Sequence, residues 1–156
     1  MITAEKFLRE VTESISAKTG IDVTFQHGNT LTVVNYITKL INTNKVYPAI
    51  IMFTEGLTEV KHRYYYEFFI PKIAICTTTV KEATERQRLE KNFEMVIFPI
   101  FEAFEKELRA KNAGYNLVIN RTDIPYFSSQ NQNQFYQLVD GCLIKNLRIK
   151  IPLESC

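Results

Sequence analysis

Two hydrophobic periods alternate along this chain. The longest stretch with a single period runs from Thr79 to Asn112. Its apolar residues fall at Leu89, Phe93, Val96, Ile97, Ile100, Phe104 and Leu108, steps of three and four that place one stripe on one face of an α-helix. Thr79, with Glu82 three residues on, has the form of a capping box at the helix start. Asn112 and Gly114 follow a last turn carrying Arg109 and Lys111, the charge sign favoured there. Pro99 breaks the pattern by removing a backbone donor, so a kink is expected between Met95 and Pro99. At 1.5 Å per residue the helix would be roughly 45–50 Å long. That exceeds the width of a domain of this size, so part of it is expected to be a contact surface.

A first helix is predicted over residues 4–18. Thr3 caps it, Leu8, Val11 and Ile15 form its stripe beside Phe7, and Gly20 ends it. Ile21, Val23 and Phe25 alternate like a short strand, and His27, Gly28 and Asn29 suggest a turn. Residues 31–41 have helical spacing with a high β-branched content. Ala49 to Phe53 is a continuous apolar run, predicted to be a strand buried on both faces. Thr54 to Lys61 is expected to be a hairpin tip, and Arg63 to Thr78 its long return strand, rich in Tyr, Phe and Ile. Pro71 marks a bulge or an edge position in that strand. Tyr115 to Ile119 suggests another short strand, and the amide-rich residues 120–135 a long loop. Tyr136 to Ile151 is strand-like. Its Asp140-Gly141 step is either a hairpin turn or a bulge in one long strand. Leu147, Ile149 and Ile151 alternate with Arg148 and Lys150, a half-buried pattern. The expectation is one α+β domain over 1–156: a mixed or antiparallel sheet of about four to six strands with two or three flanking helices.

Composition narrows the function classes without choosing among them. The chain has 156 residues, 46% hydrophobic and 23% charged, which suits an ordinary globular domain. Its 19 basic and 17 acidic residues leave a net charge of +2, too even to announce a nucleic-acid or membrane partner. Three cysteines (Cys76, Cys142, Cys156) without ligand spacing suggest reduced thiols from synthesis in a cytoplasm. No apolar run reaches membrane-spanning length, and the first residues lack the apolar core of a signal peptide.

Candidate chemistry is sparse. Glu102, Glu105 and Glu107 share a helix with Lys106 and Arg109, which suits solvated ion pairs better than paired acid–base catalysts. His27 and His62 have no metal-ligand cluster around them. Cys76, at the end of a buried strand, has no base nearby in sequence. No glycine-rich phosphate loop occurs. Tyr64, Tyr65, Tyr66, Phe68 and Phe69 adjoin Lys61, His62 and Arg63, but consecutive strand residues face opposite ways, so at least half of these rings must enter the core. Lys145, Arg148 and Lys150 add a basic stripe on an exposed sheet face. No catalytic residue, cofactor or metal is expected.

The order of certain strings resembles the tail-terminator and neck-ring (head–tail connector) proteins of tailed bacteriophages. The likeness runs from about Tyr47 to Ile151. It rests on the YPAIIMF strand, the strand ending IAICTTT, the helix with an arginine near its start (Arg86 or Arg88) and an FPIF step at 98–101, and the closing VDGCLIKNLRIKI. The charged, aromatic strand entry and the amide-rich loop also look like proteins of Bacteroides-infecting phages, including the crAss-like group. The resemblance implies a non-enzymatic virion protein made in the host cytoplasm. It would form a hexameric or dodecameric ring against adjacent neck, portal or tail proteins, with double-stranded DNA passing through without specific binding and no membrane contact. Head-to-tail contacts close into such rings. They would use Glu55, Glu59, Lys61, His62 and Arg63 at the strand tip, Arg86 and Arg88 on the helix, and Arg121, Asp123, Tyr126, Gln130 and Gln132 in the loop. The alternative is a cellular adaptor domain binding a protein or single-stranded nucleic acid.

Overall fold

The aromatic and β-branched run Tyr65–Thr78 forms the central strand of the fold. The computed structural model describes residues 3–31, 48–78, 84–112, 116–124 and 139–153. Among these, a helix α1 (Ala4–Thr19) leads into strands β1 (Thr24–Gly28), β2 (Ala49–Phe53), β3 (Thr58–Lys61) and β4 (Tyr65–Thr78). A long helix of 27 residues follows, and then β5 (Arg121–Ile124) and β6 (Val139–Pro152). The architecture is α+β: a six-stranded mixed sheet in the order β1-β2-β4-β6-β5, with β3 paired to β4 beyond the end of β2. Only the β1–β2 pairing is parallel; the others are antiparallel.

The first helix forms as its sequence dictates. The Thr3 hydroxyl accepts the Lys6 amide at 3.1 Å, and Gly20 closes the helix in the left-handed conformation at φ 73°. Phe7, Leu8, Val11 and Ile15 are buried against the sheet and the long helix.

The long helix is less regular than its apolar spacing suggests. Its described part begins at a capping box of Thr84 and Gln87, five residues beyond the predicted Thr79, which lies outside the described residues with Glu82. A short α2 (Glu85–Gln87) passes into a ten-residue π-helical segment, Arg88–Ile97, and then into α3 (Phe98–Lys111). In the π segment each amide reaches five residues back, as Phe98 does to the Phe93 carbonyl. The register therefore slips by one. Five residues before Phe93, Arg88 points inward at 4% exposure, while Leu89, expected on the stripe, is 48% exposed. The disturbance expected as a kink at Met95–Pro99 thus takes the form of a π segment. It ends just where Pro99 opens an α-helical first turn that needs no amide from it.

Three expectations for the strands change. His27 and Gly28 belong to β1 rather than to a turn. Residues 116–120 form no strand. Leu117 is buried, and its carbonyl accepts Arg109 Nη1 at 2.9 Å instead of a ladder partner. The strand lies just beyond, where Arg121–Ile124, read as loop, pairs with β6 along the sheet edge. The predicted helix 31–41, apart from Leu31, and the loop beyond 124 lie outside the described residues. The Asp140-Gly141 step lies within one long strand. Gly141 is needed there because an added Cβ would stand 2.9 Å from the Ile75 carbonyl oxygen and 3.0 Å from Cys76 Sγ.

A fault line crosses the sheet at one level. Residues 54–57 leave the ladder between β2 and β3, with Leu57 N–H bonded to the Thr54 carbonyl at 3.1 Å. The true hairpin tip is therefore His62–Tyr64, not 54–61, with the His62 amide on the Tyr65 carbonyl at 2.8 Å. At the same level Pro71 and Asn146 fall between the pairs Ile70–Leu147 and Lys72–Lys145. Asn146 has φ 54°, and Gly56 sits where a Cβ would meet the Pro71 ring at 3.1 Å. Pro71 is therefore tolerated in a central strand, because neither neighbour offers it a ladder partner.

The fault divides the sheet. In one half, β2 and the adjoining parts of β4 and β6 are buried on both faces. Ile50, Met52, Ile73, Ile75, Cys142 and Ile144 face the helices, and Ala49, Ile51, Phe53, Ala74, Cys76 and Leu143 are buried on the reverse. In the other half, β3, β4 and β6 bury Phe68, Ile70, Leu147 and Ile149 on the helix side only.

Candidate functional site

The reverse face of that second half carries the molecule's largest described concentration of cations against rings. Strand alternation places Tyr65, Glu67 and Phe69 of β4 on it. The β4–β6 register sets Arg148 opposite Phe69, Lys150 opposite Glu67, and Lys145 opposite Lys72 at the fault line. The Arg148 guanidinium lies over the Phe69 ring at 4.8 Å and donates from Nη1 to Glu67 Oε1 at 2.7 Å. Lys150 Nζ lies 5.2 Å from the Tyr65 ring centre, and Lys72 Nζ 4.6 Å from that of Phe53. At the hairpin tip, His62 stacks on Tyr65 at 4.5 Å, with Glu67 Oε2 4.0 Å from its Nε2, and Arg63 lies over Tyr64 at 5.2 Å.

The electrostatics of the patch centre on Lys72. Burial lowers its pKa and the facing Lys145 lowers it further, with Glu55 acting in the opposite sense. Burial is the largest single influence on the Glu55 carboxyl and pushes its pKa up, but the bonds from the Thr30 amide (2.5 Å), the Thr30 hydroxyl and its own amide, with the Lys72 charge, together leave it below the ordinary value. A recess of about 250 Å³ adjoins the patch along β6, lined by Asn112, Asn116, Val118, Asn146, Arg148 and Lys150. Asn112 Oδ1 accepts the Lys150 amide there at 2.8 Å.

The residues expected at subunit contacts scatter over the molecule. Lys61, His62 and Arg63 meet at the hairpin tip. Glu59 is turned toward α1, where it accepts the Ala4 amide at 2.8 Å, a favourable anion at a helix N-terminus. Glu55 lies on the 54–57 excursion. Arg86, highly exposed, pairs with Glu90 at 2.8 Å on the far side of the molecule. Arg121 and Asp123 form an ion pair at 3.0 Å on the opposite sheet edge, with Arg121 also over the Phe98 and Phe101 rings at 4.4 and 4.8 Å. Tyr126, Gln130 and Gln132 lie outside the described residues.

Arg88 is a correction. It is buried and faces inward, donating from Nε to Asp140 Oδ1 and Oδ2 at 3.1 and 3.2 Å and also from Nη2. Asn92 adds a bond to Asp140 Oδ2 at 2.7 Å. Asp140 is wholly buried, so this group joins the long helix to β6 in the interior of the subunit.

Sequence reasoning named the aromatic strand and the basic stripe separately. It did not place them side by side, because that needs the Phe69–Arg148 register, which no local pattern encodes. Lys72 was missed as a lone cation in an apolar strand. The described residues gather no three His, Cys, Asp or Glu side chains that could hold a metal ion. Burial pushes the Cys76 thiol well above its ordinary pKa and that of Cys142 to about 12, so both are protonated at neutral pH. No described helix is long and apolar enough to cross a membrane. The chain matches no protein-family model, no curated protein and no solved structure.

Proposed function

We propose that the chain is a structural virion protein that forms a ring in the neck or at the tail top of a tailed phage. The ring joins the connector or portal side to the tail around the DNA channel. One observation carries this reading. Three of the strings that resemble tail-terminator and neck-ring proteins fall on the adjacent strands β2, β4 and β6, and the FPIF step opens α3 on the helix covering them. They form one contiguous unit in space rather than scattered likenesses. A head-to-tail ring needs two different patches on each copy, and the open sheet face and the outer face of the helical layer are two such surfaces.

Light scattering on the purified chain, with negative-stain images of the same sample, tests the reading. Closed rings of six or twelve copies are expected. A chain that stays monomeric at every concentration and is missing from purified virions would sink it. The cation-bearing sheet face favours a second reading, a cellular adaptor that binds nucleic acid. Salt-dependent binding by a stable monomer would select that one.

A further inference from the structure

We infer that the reverse face of the open sheet half, carrying Arg148 and Lys150 with Lys72 and Lys145 at its fault-line border, is a contact surface for the phosphate backbone of duplex DNA. The inference goes beyond ring formation and does not depend on it.

Charge is the first argument. Four cations share this face with two carboxylates, Glu67, which already accepts from Arg148, and Glu55, whose charge acts on Lys72. The helical layer is balanced by contrast: exposed Glu90, Glu94 and Glu102 alternate with Arg86, Lys91 and Lys106. The second argument is Lys72 opposite Lys145. Like charges directly across a ladder repel, and burial of Lys72 reduces the screening by water. Glu55 already acts on Lys72 in the opposite sense, and a phosphate beside Lys145 adds to that relief. The third is spacing. Arg148 and Lys150 are two residues apart on one strand face, about 6.8 Å, comparable with the separation of successive phosphates along a nucleic-acid strand. Arg148 has further N–H donors beyond the one given to Glu67.

The rings choose between nucleic-acid forms. Base stacking requires open aromatic faces. Here Phe69 and Tyr65 each hold a cation over the ring, and Tyr65 also stacks on His62. The rings brace the cations and so limit the side-chain freedom lost when a phosphate binds. A surface that offers cations and withholds rings suits a duplex backbone, and such contacts carry no sequence preference.

The test uses the full chain and fluorescence anisotropy with a labelled mixed-sequence duplex, titrated at several salt concentrations. The logarithm of affinity should fall with the logarithm of salt at a slope of about −3, for three to four phosphates at roughly 0.9 each. The Lys145→Glu/Arg148→Glu variant should lose ~10-fold or more in affinity at low salt and flatten the slope by about 2. Lys91→Glu/Lys106→Glu makes the same charge change on the helical layer and should stay within about twofold of the parent, since sequence-independent binding follows local phosphate contacts. Circular dichroism melts confirm that both variants fold. Equal losses in the two variants would overturn the inference, as would tighter binding of a single strand or equal competition by a polyglutamate peptide. Light scattering on the same samples separates the two proposals. Rings without DNA binding would remove this surface and leave the ring reading standing, and binding by a monomer would do the reverse.

Discussion

The two halves of the sheet share the strands β4 and β6, yet they are held by different physics. In the closed half both faces are largely apolar, and the buried charge pair is matched: Arg88 meets Asp140 under the long helix, with the Asn92 amide adding a neutral donor. In the open half one face is apolar and the other carries cations resting on rings, and at its border on the fault line Lys72 faces Lys145. The closed half has little tolerance for change because its neighbours on each side are already in contact. The border between the halves keeps part of the stability in reserve, since like charges face each other there where packing does not require it. Surplus charge kept at a cost to stability is a mark of surfaces that bind.

The sharpest way to break the comparison is at the buried charge. Asp140→Asn leaves Arg88 buried without its counter-charge and should destabilise the fold by about 3–5 kcal/mol, measured by urea denaturation. Arg88→Met combined with Asp140→Leu should recover most of that loss, because replacing both partners removes the unpaired charge. No recovery would mean that the pair also sets the π register. Next in size is Gly141→Ala. The added Cβ meets backbone at 2.9 Å, so β4 or β6 must shift, at about 1–3 kcal/mol. A neutral result would place the slack in the closed half after all.

A carboxylate outside both halves gives a pH reference. The Lys18 ammonium lowers the Glu107 pKa, against the effect of burial and with help from Ser14 Oγ at 3.0 Å. A folded-state pKa below the ordinary 4.5 contributes stability that is present above that value and lost as pH falls through the lowered pKa. Glu107→Gln should therefore destabilise by about 1 kcal/mol at neutral pH and by less in acid, seen in melts from pH 7 down to about 3. The same loss at both ends would show that the charge is not what matters.

The smallest effect has the opposite sign. Lys145→Gln removes one member of the facing lysine pair and should stabilise by about 0.2–1 kcal/mol, less at high salt as screening grows. Destabilisation would show that Lys145 has a partner that outweighs the repulsion.

Much of this architecture is legible in the residues. The caps of α1, the doubly buried β2 and the long strands β4 and β6 follow local rules, because each is decided by composition and period within a few residues. What escapes does so for tertiary reasons. A 3.6-residue period puts Leu89 on the stripe. The structure instead turns Arg88 inward to meet Asp140, 52 residues away in sequence. Arg121–Ile124 is too polar and short to announce a strand, and is one only because β6 offers an edge. Of the candidate contacts, Lys61, His62 and Arg63 are legible as charged residues near a hairpin, but the turn itself lies at 62–64 and not at the expected 54–61. The cation-on-ring face was not, since Arg148 and Phe69 become neighbours only through register.

The paired interruption at Pro71 and Asn146 has a consequence for how such a chain can change length. The inward-facing residues step from Ile70 to Ile73 on β4 and from Ile144 to Leu147 on β6, so each strand carries one odd step at the same level. The two odd steps cancel. Losing either residue alone would invert the parity of everything beyond it on that strand, sending Leu147 and Ile149 to solvent or Phe68 and Ile70 to the charged face. Losing both would restore an even count and leave each side chain on its own face. Insertions and deletions at this level are therefore tolerated as a matched pair and penalised singly, a coupling between two positions 75 apart in the chain that arises from counting rather than from contact.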